Sequence, residues 1–178
     1  SKTNYLTMYK FRRQLHMDKQ LSQLIDEAIK LEHNISNIYE IFSKMFPEDS
    51  DFWSELVCEE KNHATLLETA KKTLLTVDLF PSKLLLPTLG MLIDTNNKLH
   101  LLIDEYKESP PSREVAFYKA IDIELYAGEI HFQHAMKHLP SDEIMDTIQQ
   151  LNKDDKDHIV RIRTYMHEKS ISSYTDNL

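Results

Sequence analysis

Leu56-Val57-Cys58-Glu59-Glu60-Lys61-Asn62-His63-Ala64-Thr65-Leu66-Leu67 is the stretch on which the reading of this chain turns. It holds no glycine or proline, and its apolar residues recur at the three- and four-residue spacing of a helix. Within it, Glu60 and His63 form an acid-x-x-His pair. Positions i and i+3 lie on one helical face, so the pair offers an oxygen and a nitrogen ligand in one direction. At about 100° per residue, Glu60 falls in the arc of Trp53, Leu56, Val57, Ala64 and Leu67. It therefore points inward. Glu59 shares a more polar arc with Glu55 and Asn62, and Cys58, rotated about 200° from Glu60, reads as an ordinary thiol.

The same pattern occurs again near the other end. Asp155-Lys156-Asp157-His158 is a second acid-x-x-His, and Asp155 lies in the arc of Ile148, Leu151, Ile159 and Ile162. Its neighbour Asp154 does not, because it shares an arc with Thr147, Gln150, Asp157 and Arg161, a solvated face. Two further acids face inward: Glu32 among Ile25, Ala28, Ile29, Ile35 and Tyr39, and Glu124 among Phe117, Ala120, Ile121, Ala127, Gly128 and His131. Glu32 precedes Glu60 by 28 residues and Glu124 precedes Asp155 by 31, so each half reads acid, hairpin, acid-x-x-His. One such pair arises by chance in many helices, whereas two on inward faces, each preceded by an inward acid, form a pattern. Burying unpaired carboxylates is very costly, and no lysine or arginine occupies these arcs. A divalent or trivalent metal is the natural counter-charge.

Working outward, four long amphipathic stretches carry these residues, at about 19–46, 50–77, 112–138 and 141–168. Pro47 ends the first, Ser50 or Asp51 caps the second, and Ser112 caps the third after Pro110-Pro111. Pro140-Ser141 separates the third from the fourth. Between the second and third lies a long connection, about 79–111, whose middle reads as a fifth helix from near Leu86 to Glu105. Short links within each half and a long one between them predict an all-α four-helix bundle. It is built from two antiparallel hairpins and a long crossover with an additional helix. The 178 residues read as one domain, with a polar tail expected to be loose from Ser170.

Bulk properties exclude several classes. Two glycines and six prolines leave little punctuation for a many-turned β fold. The net charge of −8 argues against nucleic acid as the main partner, since phosphate binding needs a basic face. One cysteine precludes an intrachain disulfide, and no apolar run approaches the roughly 18 residues of a membrane span. The expected location is cytoplasmic. The chain opens at Ser1, which reads as a processed or trimmed terminus, so residues 1–16 carry little weight in the prediction.

On these motifs the chain resembles the ferritin-like superfamily, and most of all its rubrerythrin-type members. Leu56 to Leu67 is similar to that family's second-helix signature, Ala120 to His131 (AIDIELYAGEIH) to its third, and Glu32 with Tyr39 to its first. The resemblance covers about residues 19–168 apart from the crossover. It implies two metal ions, with Glu60 and Asp155 bridging, Glu32 and Glu124 as terminal ligands, and His63 and His158 giving one nitrogen each. It further implies two irons, with manganese or a mixed pair as variants, reacting with dioxygen or peroxide and served by an electron donor that sequence does not name. Oxygen and imidazole ligands suit iron or manganese better than thiolate-seeking metals. Asp155 departs from the usual glutamate by one methylene, Ala127 stands where rubrerythrins carry a further glutamate, and no Cys-x-x-Cys pair is present to form a rubredoxin site.

The resemblance thus implies an oxidoreductase that reduces dioxygen or peroxide or that oxidises or handles ferrous iron. Two alternatives stand beside it: a ferritin-like hydroxylase of a larger substrate, and a non-catalytic structural or partner-binding bundle. Tyr39 reads as either a core tyrosine or a redox relay. His131 reads as a core histidine hydrogen-bonded to a ligand, or else as a metal ligand or proton-transfer group itself. Gly128, one turn from Glu124, either opens space for an oxidant or lets helices pack closely. His33, His100, His134, His138 and His167 read as surface or packing residues. The apolar run Leu84-Leu85-Leu86 with Leu89, Met91, Leu92 and Ile93 could face a membrane, but with few flanking basic residues it is expected to cover the core or to form a homodimer or higher homo-oligomer surface.

Overall fold

The computed structural model describes residues 2–74, 85–126 and 157–171. Among these, every regular element is helical. Helix α1 spans Lys2–Met45, α2 Ser50–Leu74, α3 Leu85–Glu108 and α4 Arg113–Tyr126, while residues 157–168 form α5. None of the described helices is long and apolar enough to cross a membrane.

Helix α1 begins well before the expected residue 19. No glycine or proline interrupts the chain before Pro47, so nothing in it stops a helix. At Pro47 a single 3-10 turn, Pro47–Asp49, reverses the chain into α2. Contacts then run antiparallel: Ser43 meets Ser50 and Ser54, Ser36 bonds Val57, Glu32 lies by His63, and Asp26 pairs with Lys71. This is the first predicted hairpin.

The fifth helix is present where the sequence places it. Phe42 packs on Tyr106, while Asn96 reaches Glu27 and Asn34, so α3 runs parallel to α1. The Asn34 amide donates to Asn96 Oδ1 at 3.0 Å, and the Asn96 amide donates to the Glu27 carbonyl at 2.9 Å and to its carboxylate at 2.7 Å. Within the apolar run, Leu92 is buried and Leu89 packs against the core, whereas Met91 and Ile93 are exposed.

At the start of α4 the predicted cap is made: the Val115 amide donates to Ser112 Oγ at 3.3 Å. Phe117 stacks on Tyr165, and Glu124 lies by His158, so α4 and α5 are antiparallel. Phe52 stacks on Tyr165 and Glu60 lies by His158, so α5 is also antiparallel to α2. The four directions are therefore up, down, down and up, with α3 returning the chain between the second and third. The expected turn at Pro140-Ser141 lies outside the described residues.

The core is continuous across these helices. Trp53, Tyr39, Phe42 and Phe117 are wholly buried and pack ring to ring, with Leu56, Ile38, Ala120 and Ile162 around them. At one end, the buried Asp49 receives two 2.6 Å bonds from the Arg113 guanidinium and one of 3.0 Å from the Tyr165 hydroxyl. Three chain segments are tied there. Burial and the bond to Asp49 push the Tyr165 phenol up to about 12.

Helix α5 closes with a left-handed residue, Ser170 at φ 51°. The Ile171 amide bonds the Met166 carbonyl and the Ser170 amide bonds that of His167, the pattern of a Schellman cap. Ile171 is buried along with Met166. The tail is thus anchored one residue beyond the point where it was expected to loosen.

Candidate metal centre

The four helices bring five of the predicted side chains to one place. Glu32 comes from α1, Glu60 and His63 from α2, Glu124 from α4 and His158 from α5. Glu60, His63, Glu124 and His158 are buried, and Glu32 is partly so. Their burial follows from the arcs they occupy, whose apolar members Trp53, Leu56, Ala64, Ala120 and Ile162 are also buried.

Two groups of three share one residue. In Glu32–Glu60–His63 and in Glu60–Glu124–His158, one ligand atom from each residue lies within 4.8 Å of the others. Glu60 turns a different oxygen to each group. His63 Nδ1 is 3.2 Å from Glu60 Oε2 and 3.5 Å from Glu32 Oε2. His158 Nδ1 is 3.1 Å from Glu60 Oε1 and 3.5 Å from Glu124 Oε2. The imidazole rings lie nearly parallel with centroids 5.7 Å apart.

Glu60 Oε1 and His158 Nδ1 are buried, yet neither has a hydrogen bond of acceptable geometry. Such groups are rarely left without a partner in a native interior. Here the two atoms lie 3.1 Å apart beside the Glu124 carboxylate, an arrangement that could hold a cation. Among the described residues no lysine or arginine ion-pairs with Glu32, Glu60 or Glu124. The donor set of oxygens and imidazole nitrogens therefore fits a hard or borderline metal ion.

In the metal-free protein, protons take up the role of counter-charge. Burial lifts the Glu32 carboxyl to about 8, against the lowering effect of its bond with His63, and the Glu60 charge adds to the rise. For His158, burial disfavours the imidazolium, but the close Glu124 and Glu60 carboxylates outweigh it and raise the ring to about 11. A metal ion bound here would have to displace such protons.

Neighbouring groups hold the inner ones. The Tyr39 hydroxyl donates to Glu124 Oε1, while the Tyr39 ring packs on Trp53 at 5.6 Å. His158 Nε2 lies 2.8 Å from Glu59 Oε2, and Arg161 Nη1 donates to both Glu59 oxygens at 2.8 and 2.6 Å. Glu59 belongs to the site's surroundings although its arc reads as polar. The sequence carried one signal of this, since Arg161 lies one turn beyond His158 and supplies the opposite charge.

Asp155, His131, Ala127 and Gly128 lie outside the described residues, as do His134 and His138. His33, His100 and His167 are exposed, and so is Cys58. No family model, curated protein or solved structure matches the chain.

Proposed function

We propose that the chain is a ferritin-like bundle holding two metal ions between α1, α2, α4 and α5, most suitably iron. Its function is that of an oxidoreductase that reduces dioxygen or peroxide or oxidises ferrous iron. One observation carries this reading: Glu60 offers its two oxygens to two carboxylate–histidine groups, and in the Glu60–Glu124–His158 group both Glu60 Oε1 and His158 Nδ1 are buried without a hydrogen bond. The up-down-down-up order with a single long crossover supports it, because ferritin-like bundles are connected in that way.

Glu32 and His63 would hold one ion, Glu124 and His158 the other, and Glu60 would lie between them. Two irons bound there would supply the redox chemistry for reducing dioxygen or peroxide. The chain's own part is to orient ligands and exclude water: Tyr39 fixes Glu124, and the aromatic cluster of Trp53, Phe117 and Phe52 closes the interior on that side.

Anaerobic reconstitution with ferrous iron tests the reading. About two irons per chain are expected, with Glu60→Ala abolishing both and His63→Ala lowering the stoichiometry. Oxidation of the bound iron by peroxide should be faster than that of free iron. Absence of bound iron, or a melting temperature indifferent to ferrous iron, would instead leave a structural or partner-binding bundle.

A further inference from the structure

We propose that Glu59, braced by Arg161, is a positioning residue that fixes which nitrogen of His158 faces the metal site; this rests on the metal reading above. His158 is almost fully enclosed, and its two ring nitrogens meet different surroundings. Nε2 lies 2.8 Å from Glu59 Oε2, and Nδ1 lies 3.1 Å from Glu60 Oε1 and 3.5 Å from Glu124 Oε2.

A carboxylate without a proton can only accept, so the ring must donate from Nε2. A neutral imidazole has one proton. Placing it on Nε2 leaves the lone pair on Nδ1, directed into the space between Glu60 and Glu124. Without Glu59 both tautomers are open to the ring, and one of them turns an N–H toward that space and cannot ligate. A carboxylate behind a ligating histidine commonly fixes the tautomer in this way and raises the ring's basicity.

Arg161 completes the device. Its Nη1 reaches both Glu59 oxygens, and its Nη2 lies 3.4 Å from Glu55 Oε2. The guanidinium thus fixes the carboxylate against α5, beside His158, and partly neutralises it. Once a metal ion takes the place of the Nδ1 proton, Glu59 orients the remaining proton on Nε2 without removing it, and His158 ligates as a neutral ring. The adjacent acids of α2 divide the work: Glu60 faces inward as a ligand, and Glu59 reaches across to the next helix and holds another ligand in place.

The test uses the full chain and zinc alone, whose diamagnetism permits NMR. In zinc-loaded protein labelled with 15N-histidine, long-range 15N–1H spectra are expected to show His158 protonated on Nε2 and bound through Nδ1. Chelator competition should show one zinc step weakened by about 10–100-fold in Glu59→Leu. Glu59→Gln, which retains an acceptor oxygen, should restore part of that loss. If wild-type protein binds zinc but His158 carries its proton on Nδ1, or Glu59→Leu binds within twofold of wild type, the assignment of Glu59 is overturned while the metal site stands. If wild-type protein binds no zinc, both fall. The tautomer is read on wild-type protein, so a variant that failed to fold would leave that measurement decisive.

Discussion

Glu32→Gln is the most informative single substitution, because it should separate fold stability from metal binding. Glutamine mimics the protonated carboxyl in shape and lacks its charge. In the metal-free protein the Glu32 carboxyl is raised from 4.5 to about 8, so the folded state holds a proton that the unfolded chain releases. The sign follows directly: stability is greatest below about 4.5 and falls as pH rises toward 8. At about 1.4 kcal/mol per pH unit, this interval withdraws on the order of 5 kcal/mol. His158 acts in the same direction over a higher window, from 6.5 to about 11. Urea denaturation of metal-free protein at pH 4.5, 6.5 and 8.5 measures the effect. The two proteins should be nearly equal at the lowest pH, and the glutamine variant should be more stable by several kcal/mol at the highest. With ferrous iron the order should invert, because wild-type protein exchanges its proton for a metal and the variant lacks that carboxylate. A variant no more stable than wild type at pH 8.5 would refute the argument.

Arg113→Ala should cost about 3–5 kcal/mol, since it leaves the buried Asp49 carboxylate with only the Tyr165 hydroxyl among its described partners. Chemical denaturation reads this loss, and an effect below 1 kcal/mol would mean that the pair is not desolvated. Ser170→Gly should stabilise the protein by about 0.5–1 kcal/mol, because glycine adopts the left-handed conformation at Ser170 without a Cβ penalty. Thermal melting checks it, and a lowered melting temperature would count against the cap.

Much of the fold was legible because its signals are local or periodic. The Ser112 cap, the break at Pro47 and the fifth helix each follow from a few neighbouring residues. The inward direction of Glu60 and Glu124 follows from the company they keep along a helix. Helical arithmetic gives a direction from the axis but does not say what stands there. Glu59 shows the difference: its polar arc faces α5, where His158 and Arg161 await it. Asp49 was equally opaque, since its partners Arg113 and Tyr165 are 64 and 116 residues distant. Ile171 was hidden for another reason, as a serine occupies the left-handed position that glycine usually marks.

The bonds joining Asn34, Asn96 and Glu27 bear on information more than on energy. Apolar stripes repeat with every turn, so α3 sliding along α1 by about 5.4 Å would find similar hydrocarbon again. Amides do not repeat in this way. Asn96 is fully enclosed, and such a slide would strand its groups without partners at about 1–3 kcal/mol each. Several near-equal packings are thereby reduced to one. Helix α3 carries none of the five clustered carboxylate and histidine side chains, yet it returns the chain to where α4 begins, and its alignment with α1 is inherited by the helix that delivers Glu124.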